Sequence, residues 1–258
     1  LPLHAHQRHV LNLARLQQEL VNNHVEIVFV TGRHLESVLE VAQEEQLPLP
    51  NWIICDVGTS IYQRCDSEPG WRFSHVEAYQ DRQAQIVAGL PIDQLRELLQ
   101  TIAGLRLQEE AKLGPYKLSY YVDASRLSAL VLEIQKVLEH HNAPYSIIHS
   151  VDPFNGDGLI DLLPAGVSKA FALAWWVQHA GIAPKAVVFA GDSGNDLAAL
   201  TAGYRAIVVG NADRSVANQA KEAHRDANYA EEFLYLAEAP ATSGVVEGCR
   251  RHGLFDRP

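Results

Sequence analysis

The 258 residues carry a formal net charge of −10, with 47% hydrophobic and 20% charged side chains. This is the composition of an ordinary globular chain long enough to bury a full core, and an acidic balance without a basic patch argues against a nucleic-acid partner. Cys55, Cys65 and Cys249 form no CxxC pair, no apolar run reaches spanning length and no signal peptide opens the chain, so a reducing, cytoplasmic setting is expected.

The sequence contains no methionine and opens at Leu1-Pro2-Leu3, which points to a piece of a longer chain or to lost residues. Residues 7–23 have helical apolar spacing through Val10, Leu13, Leu16 and Leu20. His4, His6 and His9 ahead of it read as a polar helix start rather than a metal site, since no carboxylate or cysteine joins them. Val25–Val30 is a strand, and Thr31-Gly32-Arg33 follows at its carboxyl end, where a hydroxyl and a turn can receive an anion or simply cap the helix 34–46. Trp52–Cys55 is another short apolar run. Asp56-Val57-Gly58-Thr59 resembles the phosphate turn of actin-like kinases, but its companion patterns do not fit. Residues 56–63 read instead as strand end, turn and the start of a hairpin with Trp71–Ser74.

The pattern then changes. Residues 79–103 read as helical around an interruption at Gly89-Leu90-Pro91, Tyr116–Val122 as an alternating strand, 125–140 as an amphipathic helix and Tyr145–His149 as a strand. This is a small α+β unit with one open sheet face, inserted across residues 65–158, with core segments 1–64 and 159–258 on either side. Asn155-Gly156-Asp157-Gly158 is expected to hinge it. Leu159–Pro164 is assigned to the core and leads into the helix 170–180, whose paired Trp175 and Trp176 are expected to pack against the sheet. Lys169 lies in that helix's first turn, an unfavourable place for a cation unless it is solvated or meets an anion.

Ala186–Ala190 has no alternation and reads as a strand buried on both faces; Gly191-Asp192-Ser193-Gly194-Asn195-Asp196 follows at its carboxyl end. Asp192, Asn195 and Asp196 supply hard oxygens suited to Mg²⁺, or caps for the helix 196–202. Arg205–Gly210 is a further parallel strand, residues 214–224 are helical, 229–244 are loop and 245–252 a short helix.

Taken together, Thr31-Gly32-Arg33, Val57–Tyr62, Ser168-Lys169 and Gly191–Asp196 resemble, in order, motifs two to four of the haloacid-dehalogenase (HAD) superfamily phosphatases. Pro115–Asp123, Ile160–Pro164 and Gly191–Asp196 are most similar to the sucrose-phosphate phosphatase branch. The resemblance implies an α/β fold: a Rossmann-like parallel-sheet core with an inserted C2-type α+β cap. It implies hydrolysis of a phosphosugar, most plainly sucrose 6-phosphate, through an aspartyl-phosphate intermediate. By the same resemblance Thr31, helped by Gly32 and Arg33, would hold the phosphoryl group, and Lys169 would neutralise phosphate and nucleophile. Asp192 would ligate Mg²⁺ with Asp196 as a second metal residue, and Asp196 and Asn195 would orient the metal's waters or its ligands. Lys117 and Tyr121 would face the sugar.

The Asp-x-Asp that opens the family's first motif does not occur in the 258 residues. Its expected place, with the first strand of the sheet, is immediately before Leu1, and the chain by itself is expected to be inactive. The alternatives are a catalytically inactive domain that binds a sugar phosphate or regulates a fused glycosyltransferase of the sucrose-phosphate synthase type, and a phosphatase for another phosphosugar.

Overall fold

The computed structural model describes residues 7–65, 70–152 and 155–255. His4, His6, the side chain of His9 and residues 66–69 between the two hairpin strands lie outside the described residues. Helix α1 (Gln7–Asn22) leads to strand β1 (Val28–Val30), helix α2 (Leu35–Glu44) and strand β2 (Trp52–Cys55). Strands β1 and β2 are parallel, and β3 (Ser60–Arg64) and β4 (Phe73–His75) extend the sheet as the expected antiparallel hairpin. Helices α3 (Glu77–Val87) and α4 (Ile92–Leu99) fall on either side of the interruption expected at Gly89–Pro91. Pro91, which cannot continue a helix, stands at the start of α4.

A second sheet follows, with β5 (Arg106–Leu107), β6 (Leu118–Val122), β7 (Tyr145–Val151) and β8 (Gly158–Pro164) in the order β5-β6-β8-β7, all antiparallel. Helix α5 (Leu127–His140) runs between β6 and β7. Leu118, Tyr120, Val122, Ile160 and Leu162 share one face and pack with Leu130 and Ile134 of α5 as a core of their own. Residues 159–164, assigned to the core from their apolar run, therefore sit in the middle of the inserted sheet, zipped to β6 and β7. An apolar run does not tell which sheet receives it. Gly158, expected within a hinge, opens β8, and a Cβ there would lie 2.6 Å from Val122 Cγ2.

The chain then forms α6 (Lys169–His179), β9 (Val188–Gly191), α7 (Leu197–Leu200), β10 (Arg205–Val208), α8 (Arg214–Asp226), β11 (Leu234–Leu236) and α9 (Ala241–Arg251). Strands β9, β10 and β11 form a parallel sheet in the order β11-β10-β9. Strand β11 falls in the stretch expected to be loop; its three residues are too few to show a period. Trp176 is buried in the core and meets Trp52 edge-on at 6.2 Å, while Trp175 stacks on His179. Among the described residues no helix is long and apolar enough to cross a membrane. The three cysteines are free, Cys55 and Cys249 being buried.

Among the described residues β1 pairs with β2 alone and β9 with β10 alone. Their other edges line one cavity of about 960 Å³, together with Leu16, Leu173, Trp176 and Ile207. A cavity of this size is far larger than the voids of a packed interior. It also explains why β9, expected to be buried on both faces, alternates between buried and half-buried residues.

Candidate active site at the carboxyl ends of the parallel strands

Three motifs converge where β1 and β9 end. Thr31 follows β1 and is pinned by its amide, which donates to the Ile54 carbonyl at 2.9 Å. Its hydroxyl accepts from the Arg33 amide at 3.2 Å. Gly32 and Arg33 are exposed, and the Arg33 guanidinium donates to Ser37 Oγ at 3.0 Å.

Ser168 caps α6 by accepting from the Phe171 amide, which fixes Lys169 as the first helical residue. Lys169 is buried, and its Nζ donates to Asp196 Oδ1 at 2.7 Å. This carboxylate is the reason a cation tolerates a helix N-terminus. The other oxygen, Asp196 Oδ2, accepts from the amides of Asp192 and Ser193 at 3.2 Å each and from Ser193 Oγ at 2.9 Å. Burial alone would raise the Asp196 carboxyl. The charge and hydrogen bond of Lys169, with the Ser193 donors, outweigh it and hold the group below the usual carboxylate range. Gly191 makes the arrangement possible, since a Cβ there would stand 2.7 Å from Asp196 Cβ.

Asp192 lines the cavity half-buried, with its Oδ2 accepting from Asn211 Nδ2 at 3.1 Å. Thr31, Arg33, Lys169, Asp192 and Asp196 all line that cavity, whereas Asn195 is exposed on the turn. Among the described residues no three His, Cys, Asp or Glu side chains gather to hold a metal ion. Asp192 fits a cation ligand: a hard carboxylate opening on the cavity. Asp196, expected as a second ligand, has both oxygens taken by protein donors, so its observed work is to anchor Lys169 and close the 191–196 turn.

Lys117 and Tyr121, expected to face the sugar, do not line this cavity. They lie with Ser119 on the face of the inserted sheet opposite its own core. Lys117 is buried against Asp56, Nζ to Oδ1 3.3 Å. The Tyr121 hydroxyl receives a hydrogen bond from Lys112 Nζ and donates to Glu109 Oε2 at 2.9 Å. Ser119 Oγ donates to Asp161 Oδ1 at 2.5 Å from the facing position on β8.

Asp56 and Asn211 are the site residues the sequence does not announce. Asp56 stands inside a turn that reads as mere punctuation, and Asn211 gives no signal beyond its place after a parallel strand. Asn211 also accepts from the Ala241 amide at 2.7 Å, tying Asp192 to the start of α9.

Residues 3–253 match the model of the sucrose-6F-phosphate phosphohydrolase family. A protein of Nitrosococcus oceani named as an HAD-like hydrolase is 36% identical over 208 residues, 80% of this chain and 55% of its own length. The chain thus spans about half of that relative. A mannosylfructose-phosphate phosphatase of Agrobacterium fabrum is 28% identical over 90% of this chain and 84% of its own. Among solved structures, the sucrose-phosphatase of Synechocystis in complex with sucrose and phosphate superposes with a TM-score of 0.75 at 22% identity, covering 96% of this chain and 93% of that one. The fold is therefore the HAD fold, an α/β core with an inserted cap, and the chain belongs to the sucrose-6F-phosphate phosphohydrolase family.

Proposed function

We propose that this chain supplies most of a Mg²⁺-dependent phosphatase that hydrolyses a sugar phosphate, sucrose 6-phosphate first among them. The observation that carries this reading is that Thr31, Lys169 and Asp192 line one cavity. The Thr31 hydroxyl and the turn at Gly32 would receive a phosphoryl oxygen, and Arg33 lies beside them as an exposed cation. Lys169, desolvated and fixed by Asp196, places a positive charge where the departing phosphoryl group gathers negative charge. Asp192, oriented by Asn211, would hold the cation, which when bound neutralises developing charge on the phosphoryl oxygens.

The nucleophile belongs in the same account. The unpaired edges of β1 and β9 both line the cavity, so a parallel strand seated there would deliver its carboxyl end beside Lys169 and Asp192. We place there an extended apolar segment from outside the described residues, ending in the carboxylate that forms the aspartyl phosphate. The cap then comprises the insertion from residue 65 through β8, one strand further than its sequence pattern suggests, and its open face receives the sugar.

The Agrobacterium relative's name favours a second phosphosugar, and the lack of Asp-x-Asp in the 258 residues favours a phosphosugar-binding or regulatory domain. Association with a sucrose-phosphate synthase-type glycosyltransferase would bring the substrate's source alongside. Phosphate release from a panel of phosphosugars by the intact open reading frame, with and without Mg²⁺, separates these readings. The enzyme reading expects metal-dependent release favouring sucrose 6-phosphate and its loss in Asp192→Ala. Release from none of the panel by folded protein would leave the binding domain.

A further inference from the structure

A second buried ion pair joins the cap to the core. Lys117 precedes β6 and Asp56 follows β2; they are 5% and 9% exposed, and Lys117 Nζ lies 3.3 Å from Asp56 Oδ1. The turn that carries Asp56 is strained: Asp56 and Val57 both adopt left-handed backbone, with φ of 51° and 60°. Such a conformation costs about 1–3 kcal/mol per residue and persists only where the surroundings over-determine it.

Here the surroundings are the two loops of the phosphate corner. The Asp56 amide donates to the Arg33 carbonyl at 3.0 Å and the Val57 amide to the Thr31 carbonyl at 3.3 Å. On the opposite side, Gly58 approaches α6 so closely that a Cβ would stand 2.4 Å from the Ser168 carbonyl oxygen and 2.9 Å from the Lys169 nitrogen. The Tyr79 hydroxyl, from the first helix of the insertion, donates to the Gly58 carbonyl. Three residues thus touch both motif loops, and the first of them holds the cap's lysine.

We infer that the Asp56–Lys117 pair is a latch between cap and core that sets the phosphate corner. With the pair closed, the cap is seated on the strained turn and the turn braces Thr31–Arg33 against Lys169. With the pair broken, a buried charge is left without its partner, the turn relaxes and the corner loosens. Asp56 is a positioning residue, acting through its backbone on Thr31 and Lys169. The inference goes beyond the proposed hydrolysis and stands on contacts within the chain, so its test reads structure rather than turnover.

The test is hydrogen exchange by mass spectrometry on the intact protein, comparing wild type with Asp56→Asn, Lys117→Met and Lys117→Arg. Asparagine tolerates left-handed backbone, so Asp56→Asn removes the charge without adding strain. In Asp56→Asn and Lys117→Met the amides of Arg33, Asp56 and Val57 should exchange about tenfold faster or more, while α8 keeps its protection. Lys117→Arg, which keeps the charge, should restore wild-type exchange at Arg33. If urea unfolding shows that Lys117→Met is not folded, Asp56→Asn and Lys117→Arg carry the test. Unchanged protection of Arg33, Asp56 and Val57 in folded Asp56→Asn would overturn the latch, as would equal loosening in Lys117→Arg.

Discussion

The two buried lysine–aspartate pairs share a chemistry and differ in what surrounds them. In Lys169–Asp196 the ions are 2.7 Å apart, and the carboxylate accepts three further hydrogen bonds from the 191–196 turn. Burial pushes Asp196 up, but the lysine and these donors prevail, and its carboxyl lies below the usual range. In Lys117–Asp56 the ions are 3.3 Å apart. Burial pushes Asp56 up, Lys117 opposes it, and the neighbouring Asp161 adds to the rise, so its carboxyl lies above the usual range. A buried carboxylate keeps its charge through the number of donors around it, not merely through the presence of a lysine. The first carboxylate is held charged by its lysine and three further donors, whereas the second depends chiefly on Lys117.

The largest expected effect breaks the tighter pair. Lys169→Met strands Asp196 among its remaining donors and should cost about 3–5 kcal/mol in urea unfolding. Lys117→Met should cost less, about 1–3 kcal/mol, because Asp56 can relieve its burial by taking up a proton. Equal losses in the two variants would erase the distinction.

The pH dependence sharpens it. The folded value of Asp196 is lowered, so its stabilisation is present above the ordinary carboxylate value and is lost as pH falls through the folded value. The folded value of Asp56 is raised, so its ionisation costs stability above that value, and the cost is relieved as pH falls through it. In acid titrations of stability, Asp196→Asn should therefore flatten the loss towards low pH, whereas Asp56→Asn should steepen it. The smallest effect on stability is expected at Asp192, which lines the cavity half-buried: Asp192→Ala should shift unfolding by no more than about 0.5 kcal/mol while abolishing metal-dependent turnover.

Much of the corner was legible because its signals are local. An apolar run followed by Gly191–Asp196 marks a strand's carboxyl end, and a lysine opening α6 against the helix dipole asks for an anion, which Asp196 supplies. What the sequence hides is set by partners far along the chain. Leu159–Pro164 is apolar enough for either sheet, and its pairing with β6 and β7 decides the matter. Lys117 and Asp56 are separated by 61 positions, so nothing local joins them. Strand β11 and the left-handed turn at Asp56–Val57 are likewise held by tertiary contacts, against weak or contrary local preference.

The most direct test of the account is the turnover of sucrose 6-phosphate by the intact open reading frame, wild type against Lys169→Met, with both shown to be folded by circular dichroism. If Lys169 supplies the charge on which phosphoryl transfer depends, the variant should lose about 100- to 1000-fold in kcat. Wild-type kcat in folded Lys169→Met would contradict it.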